Sequence, residues 1–326
     1  MVVLAVLEHE NGAIGDVAAQ VLSFGAAYAA AAELPLHAVV MGSSGAAAAA
    51  SVGRFGVATL HVAEHEGLSA YAPQAIARSV SELIERLSPA AVIGAGTERG
   101  NEVLAHTGAI TDLPFAANCI EAEPGEAARV TRVRWGGSLL EEARVHGATK
   151  LLTLAPHSVD AIPAAAASQP AVESFTPALN DADLAVRVVE RVPTQTGGGI
   201  SLASAKVVVS GGRGTGSAEG FAPIEELAGL LGGAVGCSRA VTIAGWRSHT
   251  DQVGQTGTKI APEIYIACGI SGATQHMAGC KGAKRILAVN TDPEIANIAA
   301  FDYAVIGDLH AVLPAISAEL RKVGVK

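Results

Sequence analysis

The sequence predicts an α/β protein of two domains. The N-terminal domain is expected to be a doubly wound, mostly parallel sheet with an antiparallel edge, and the C-terminal domain a Rossmann-like parallel sheet. Short apolar runs alternate with segments of helical period along both halves of the chain. Half of the 326 residues are hydrophobic, but only 4% are aromatic and 16% charged. This composition is typical of parallel sheets covered by helices on both faces.

The first half alternates predicted strands with predicted helices. The clearest helix spans residues 72–87, where Ile76, Val80 and Leu83 share one face and Arg78 and Glu82 share the other. The predicted strands are 2–7, 36–40, 57–62 and 90–93, and the predicted helices are 17–32, 45–53, 72–87 and a segment after residue 100. This order predicts parallel strands joined by helical crossovers.

The pattern changes between residues 118 and 153. Three apolar runs follow each other with little helix between them, which predicts an antiparallel edge on the sheet. These runs are residues 128–135, 137–144 and 150–154. Residues 156–177 are rich in Ala, Pro and Ser and predict an extended loop, whereas residues 185–192 predict a further strand.

A Gly-rich segment at residues 193–199 predicts the linker between the domains. The expected domains are therefore residues 1–194 and residues 195–326. The α/β alternation restarts after the linker. It predicts strands at 205–210, 264–269, 285–289 and 303–307, and helices at 223–231, 273–279 and 309–323.

Charge and composition exclude several classes of protein. The net charge is −9 and the basic residues are scattered, so a nucleic-acid partner is not expected. The apolar N-terminus is short and lacks a basic flank, which predicts a strand and not a signal peptide. No apolar run approaches the roughly 18–20 residues of a membrane helix. We therefore expect a cytoplasmic protein that does not span a membrane.

The four cysteines predict buried thiols and no metal site. Cys119, Cys237, Cys268 and Cys280 form no C-x-x-C pair, and no histidine stands beside them at zinc spacing.

Two Gly-rich turns follow predicted strands. At residues 211–216, a strand, a glycine cluster and a helix form an arrangement that can hold phosphate, and Arg213 favours that function. Ser217 stands where a dinucleotide fingerprint needs its third glycine, so an ordinary tight turn remains an alternative. At residues 94–100, Arg99 breaks the spacing and Glu98 would repel phosphate, which favours a structural turn.

Two polar loops flank the predicted strand at 264–269. The first carries Gln252, Gln255 and Thr256 among its glycines, and the second spans residues 270–276. Because ligands bind at strand ends in open α/β sheets, the loops predict a crevice lined by amides, hydroxyls and one imidazole. Such a lining suits a planar, multiply hydrogen-bonded cofactor such as a flavin, although a solvated loop is the alternative for the first segment.

His276 and Arg239 stand at the starts of two predicted helices. Both can place positive charge or a hydrogen-bond donor in the crevice. No carboxylate pair, Ser-His-Asp arrangement or metal cluster accompanies them, so no catalytic residue is assigned. The set of residues favours binding and redox tuning over hydrolysis.

The C-terminal half resembles the alpha subunit of electron-transfer flavoprotein, the family that includes FixB. The resemblance is dense between residues 205 and 310 and looser across residues 1–190. The motifs that carry it are Gly211-Gly212-Arg213-Gly214, Gly236-Cys237-Ser238-Arg239, Val253-Gly254-Gln255-Thr256-Gly257, Ala261-Pro262-Glu263-Ile264-Tyr265, Gly269-Ile270-Ser271-Gly272-Ala273-Thr274-Gln275-His276, Asn290-Thr291-Asp292-Pro293 and Ala304-Val305-Ile306-Gly307-Asp308-Leu309. Thr215 and Thr258 depart from the residues that members of the family often carry.

The resemblance implies one FAD in the second domain. It places Gln255 and Thr256 near N5 of the ring, and Arg239 and His276 near N1 and O2, where they would stabilise the negative charge of the singly reduced flavin. The residues implied to contact FAD are Arg213, Ser238, Arg239, Val253, Gly254, Gln255, Thr256, Ser271, Gly272, Ala273, Thr274, Gln275, His276, Asn290, Asp308 and Leu309.

The resemblance also implies partners. The chain would pair with a beta subunit that carries AMP, accept electrons from acyl-CoA dehydrogenases of fatty acid β-oxidation and related dehydrogenases, and pass them to a quinone oxidoreductase. It would be an electron carrier and not an enzyme, with the Gly-rich linker letting the flavin domain swing. Two alternatives remain at this point. One is an NAD-binding α/β oxidoreductase that uses His276 as an acid–base group, and the other is a nucleotide-binding regulatory module.

Overall fold

The computed structural model describes residues 1–137, 139–190, 200–298 and 300–324. Contacts between Cα atoms divide the chain into two units, Met1–Arg191 and Val192–Lys326. The predicted linker at residues 193–199 lies outside the described residues, and so does the predicted boundary at about residue 195.

The first unit is built on a nine-stranded sheet in the described residues. Its order is β11-β5-β4-β1-β6-β10-β7-β8-β9, and a separate hairpin is formed by β2 and β3. The strands are β1 (Val3–Val6), β2 (His9–Glu10), β3 (Ala13–Ile14), β4 (Leu36–Met41), β5 (Thr59–Ala63), β6 (Ala91–Ala95), β7 (Phe115–Glu123), β8 (Ala128–Arg134), β9 (Leu139–Val145), β10 (Lys150–Leu154) and β11 (Ala171–Phe175). The helices are α1 (Asp16–Ala31), α2 (Ala49–Gly53), α3 (Pro73–Leu87) and α4 (Glu98–Thr111).

The sheet is parallel from β11 to β7 and antiparallel from β7 to β9. The predicted fold class of this unit, a mostly parallel sheet with an antiparallel edge, is confirmed. Helix α3 also forms as its pattern predicts, because Val80, Leu83 and Ile84 are buried against the sheet. On its outer face Arg78 pairs with Asp183 at 3.4 Å.

Three predictions for this unit were wrong in detail. Strand β10 lies between β6 and β7 inside the parallel part, where Leu151, Leu152 and Leu154 are fully buried. The expected loop at 156–177 contains β11, which pairs with β5 as an exposed edge strand. The expected strand at 185–192 does not form over residues 185–190, where the Val189 side chain is 94% exposed and therefore covers no apolar face.

A histidine pair, with His61 buried and His37 half-buried, joins three neighbouring strands of this sheet. His37 Nδ1 on β4 lies 3.0 Å from His61 Nε2 on β5, and Glu173 on β11 places a carboxylate oxygen 3.4 Å from His61 Nδ1. Burial lowers the pKa of both imidazoles; His37 and Arg86 lower that of His61 further, and Glu173 acts in the opposite direction on both. The charge of the N-terminus also lowers the pKa of His37. Both histidines are therefore held neutral in the folded chain.

Acid should destabilise the first unit through this pair. In the unfolded chain a histidine titrates at about 6.5, so below that pH the unfolded state binds more protons than the folded state. The free energy of unfolding therefore decreases as the pH falls below that value, by up to about 1.4 kcal/mol per pH unit for each imidazole. We expect the urea midpoint to fall between about pH 7 and about pH 5, less steeply in His61→Gln. His146→Gln, at an exposed histidine, should keep the wild-type slope; equal slopes in all three proteins would contradict the assignment.

The second unit is a parallel sheet of five strands in the described residues, with the order β13-β12-β14-β15-β16. The elements are β12 (Val207–Gly211), α5 (Ala222–Leu230), β13 (Ala234–Cys237), α6 (Arg239–Ile243), β14 (Ile264–Cys268), α7 (Thr274–Met277), β15 (Ile286–Asn290), β16 (Tyr303–Ile306) and α8 (Leu309–Lys322). The Rossmann-like α/β prediction for this part of the chain is confirmed. The chain builds outward from β12 in both directions, which creates a switch point between β12 and β14, the place where such sheets bind ligands.

Candidate cofactor site

The predicted site residues converge on one edge of the second sheet. Because all five described strands are parallel, the segments after their carboxyl ends meet at the same edge. Arg213 follows β12, Ser238 and Arg239 follow β13, residues 271–276 follow β14, Asn290 ends β15, and Asp308 and Leu309 follow β16.

The switch point is closed by contacts between glycine backbones. Gly212 N donates to Cys268 O at 2.8 Å, and Gly214 N donates to Gly269 O at 3.1 Å. A Cβ on Gly214 would lie 2.6 Å from Gly269 Cα, so no larger residue fits without moving the backbone. Two amides of the predicted phosphate turn are thus used within the protein. The turn presents Arg213 instead, whose side chain is exposed.

The loop at 251–258 packs against the turn that contains α7. Gln255 N donates to Gln275 O at 2.7 Å, and a Cβ on Gly279 would lie 2.3 Å from Gly254 N. Gly254 has φ +146, a conformation that L side chains rarely adopt. Strand β13 anchors the loop from the other side, because Val253 N donates to Cys237 O at 2.9 Å. The two polar loops that the sequence singled out are therefore neighbours.

Backbone donors are available along the second of these loops. Within the described part of the chain, no acceptor takes the N–H groups of residues 271–275. Ser271, Ala273, Thr274 and Gln275 are exposed. A run of unused amides can receive the oxygen or nitrogen acceptors of a ligand.

A buried amide orients the hydroxyl of Thr256. Gln252 is 2% exposed, and its side-chain nitrogen donates to Thr256 Oγ1 at 2.9 Å. Its side-chain oxygen lies 2.8 Å from the hydroxyl of Thr242 on α6. Because the Thr256 oxygen accepts from Gln252, its own proton is free to be donated outward. The sequence indicated Gln252 as a hydrogen-bonding side chain of this loop, but Gln252 was not among the residues implied to contact FAD.

His276 is buried beneath these loops. It is 7% exposed, its Nε2 lies 2.6 Å from the hydroxyl of Tyr265, and its Nδ1 is buried without a hydrogen-bond partner in the described structure. Burial lowers the pKa of His276 to about 4, while the backbone of Val253 acts in the opposite direction. The imidazole is therefore neutral near pH 7. Burial raises the pKa of Tyr265 well above its usual range, so the phenol is neutral as well. Tyr265 was not among the predicted site residues.

Some of the remaining predicted residues make hydrogen bonds or packing contacts at this edge of the sheet, and the two arginines are exposed. Asn290 Nδ2 donates to Ile270 O at 3.0 Å, and Asp308 accepts from His310 N at 2.9 Å as the N-cap of α8. Leu309 is buried in the core. The guanidinium groups of Arg213 and Arg239 form no ion pair or hydrogen bond with any described residue.

A cavity in the first unit differs in its charge from the crevice of the second unit. Its volume is about 640 Å³, and it lies where β1, β4, β5 and β6 end. Glu8, Glu10, Glu64 and Glu66 line it against the single guanidinium of Arg99, so it disfavours phosphate. The predicted turn at 94–100 borders this cavity. A Cβ on Gly100 would lie 2.1 Å from Ala95 O, which supports the structural explanation for its glycines.

The described residues contain no group of three or more His, Cys, Asp or Glu placed to hold a metal. No helix among them is long and apolar enough to cross a membrane. Cys119, Cys237, Cys268 and Cys280 are buried free thiols, as predicted, and burial raises the pKa of each to about 12.

Comparison with known families decides between the alternatives. Residues 3–180 match the electron transfer flavoprotein domain, and residues 201–281 match the electron transfer flavoprotein FAD-binding domain. The chain belongs to the electron transfer flavoprotein alpha-subunit family. None of these matches favours a nicotinamide enzyme. The FAD-binding-domain match includes the two polar loops, Arg213 and Arg239, whereas Asn290, Asp308 and Leu309 lie beyond it.

Similar proteins span almost the whole chain. Electron transfer flavoprotein subunit alpha of Mycobacterium leprae is 36% identical over 317 residues, which cover 96% of each chain. The protein of the same name from Bacillus subtilis is 32% identical and covers 88% of each chain. Protein FixB of Bradyrhizobium diazoefficiens is 32% identical over 97% of this chain and 87% of its own.

Proposed function

We propose that this chain binds one FAD in the crevice of its second unit and serves as the electron-carrying subunit of a heterodimer. The observation that carries the proposal is the combination of unused donors in one segment. The amides of residues 271–275 have no acceptor among the described residues, and His276 Nδ1 is buried without a partner. Both lie within the segment that matches a FAD-binding domain.

The donor set fits the chemistry of FAD. The pyrophosphate is anionic, and the exposed guanidinium of Arg213 has no competing ion pair among the described residues. Asn290 and Asp308 suit the adenine and ribose groups. We assign to the site Arg213, Ser238, Arg239, Val253, Gly254, Gln255, Thr256, Ser271, Gly272, Ala273, Thr274, Gln275, His276, Asn290, Asp308 and Leu309.

Each residue assigned near the ring has a distinct role. FAD, when bound, accepts electrons and passes them on. Gln255 and Thr256 are assigned to the N5 side, where the Thr256 hydroxyl can donate because Gln252 occupies its oxygen. Arg239 and His276 are assigned to the N1 and O2 side. Arg239 supplies positive charge there, and His276 supplies a neutral N–H because burial lowers its pKa to about 4.

We further propose the family's partners for this chain. These are a beta subunit that holds AMP, acyl-CoA and related dehydrogenases as electron donors, and a quinone oxidoreductase as acceptor, all in the cytoplasm. The names of the relatives support pairing with a second subunit. The crevice donors outnumber its acids, which supports a carrier and not an enzyme that turns over its own substrate. The predicted division at about residue 195, with a swinging flavin domain, belongs to the same proposal.

The test is to produce the chain together with an electron transfer flavoprotein beta subunit and purify the complex. We expect a yellow heterodimer with flavin absorption bands and one FAD released per alpha subunit on denaturation. NAD should neither bind nor displace the flavin. A colourless heterodimer that binds NAD would contradict the proposal.

A further inference from the structure

Tyr265 and His276 form a closed pair inside the second unit. Tyr265 on β14 is 0% exposed and His276 on α7 is 7% exposed. Their hydroxyl oxygen and Nε2 are 2.6 Å apart, a short hydrogen bond between two neutral groups. His276 packs against the loop at 251–258, because a Cβ on Gly254 would lie 3.6 Å from His276 Cα.

The position of the proton follows from what each group can do. In the described structure the Tyr265 hydroxyl lies within hydrogen-bond distance of His276 Nε2. The nearby Ser210 hydroxyl lowers the Tyr265 pKa, so it acts as a donor toward the phenol oxygen and not as an acceptor of the phenol proton. If Tyr265 only accepted, its own O–H would be buried without an acceptor, which costs about 1–3 kcal/mol. Tyr265 therefore donates to Nε2. A neutral imidazole carries one proton, so that proton is on Nδ1.

We propose that Tyr265 is a positioning residue that holds His276 in the Nδ1–H tautomer and so presents a hydrogen-bond donor to FAD. The proposal rests on the proposed function. Without the Tyr265 hydroxyl, Nε2 loses its donor and the imidazole can take the other tautomer. Nδ1 would then be an acceptor, and His276 could not donate a hydrogen bond to the N1 and O2 side of FAD to which it is assigned.

The first measurement needs no variant. In the FAD-loaded heterodimer with ¹⁵N-labelled histidine, the nitrogen spectrum separates protonated from unprotonated ring nitrogens. His276→Gln identifies the His276 signals by their loss. We expect Nδ1 to be protonated and Nε2 unprotonated from about pH 6 to about pH 8, since the pKa of His276 lies well below that window. A protonated Nε2 would overturn the proposal while leaving the proposed function intact.

The second measurement uses Tyr265→Phe, which removes the hydroxyl and keeps the ring. We expect the His276 signals to shift toward a mixture of tautomers, and the equilibrium constant for the first electron to fall about two- to tenfold, the worth of one hydrogen bond. Tyr303→Phe is the matched control, because Tyr303 is 61% exposed on β16. It should change neither quantity.

The outcomes separate the two proposals. If Tyr265→Phe binds FAD and keeps both the wild-type tautomer and the wild-type equilibrium constant, Tyr265 has no positioning role. If Tyr265→Phe fails to fold or to hold FAD, the nitrogen spectrum of the wild-type heterodimer decides. A protonated Nδ1 on His276 then supports the positioning role of Tyr265, and a protonated Nε2 contradicts it. If the wild-type heterodimer contains no FAD, the proposed function fails first, and the positioning role falls with it.

Discussion

Gly279→Ala should lower the free energy of unfolding by about 1–3 kcal/mol, the usual range for overpacking a closed interior site. The new Cβ would lie 2.3 Å from Gly254 N and 2.4 Å from Gly254 Cα, which are backbone atoms and cannot rotate away. The loop at 251–258 would have to move off the α7 turn. That movement would also stretch the hydrogen bond from Gln255 N to Gln275 O. We therefore expect the heterodimer to lose flavin during gel filtration as well as stability in urea.

Gly229→Ala is the matched control for this prediction. Gly229 is in α5, is exposed, and has no atom within 4 Å of the position of a new Cβ. The same substitution there should raise stability by about 0.4–1 kcal/mol, because alanine restricts the unfolded chain more than glycine does. The prediction is wrong if Gly279→Ala matches Gly229→Ala in urea midpoint and retains its FAD. The close contact between the loop at 251–258 and the α7 turn would then not be needed for stability or for FAD binding.

Much of the fold is readable from local pattern. Strands β12, β14, β15 and β16 are apolar runs that end in polar or Gly-rich turns, so the parallel sheet could be predicted without homologues. Strand β13 was missed because its four residues, Ala-Val-Gly-Cys, carry little apolar periodicity. The placement of β10 could not be predicted either, because its neighbours in the sheet are set by contacts distant in sequence.

The site was predicted less completely than the fold. Glycines and exposed polar residues in the two loops were visible as motifs. The residues that orient them were not, because a buried polar side chain has no periodic signature. Tyr265 has the pattern of an apolar strand residue, and its partner His276 is 11 residues away on another element. Gln252 looks like any loop glutamine until its burial and its two partners are known.

Arg239→Ala should lower the potential of the first electron by tens of millivolts, and about 60 mV if the guanidinium is worth about 1.4 kcal/mol. Arg239 stands at the start of α6, is exposed, and forms no ion pair or hydrogen bond through its guanidinium with any described residue, so its charge is not neutralised locally. Charge at the N1 and O2 side favours the anionic product of one-electron reduction over the neutral oxidised ring. Stepwise reduction of the heterodimer, followed by absorbance, measures this as a smaller yield of the one-electron product.

Arg285→Ala tests whether position matters or only net charge. Arg285 is also exposed, but it precedes β15 at the amino edge of the sheet, opposite to the crevice, with Asp302 at 4.0 Å. Both variants remove one positive charge from the same unit. Solvent and salt screen a distant charge more than one that touches the cofactor, so the effect of Arg239 should persist at about 0.5 M salt and any effect of Arg285 should vanish. Equal potentials for the first electron in the two variants would mean that Arg239 does not lie near the ring. The crevice amides and His276 would then be the groups that set this potential.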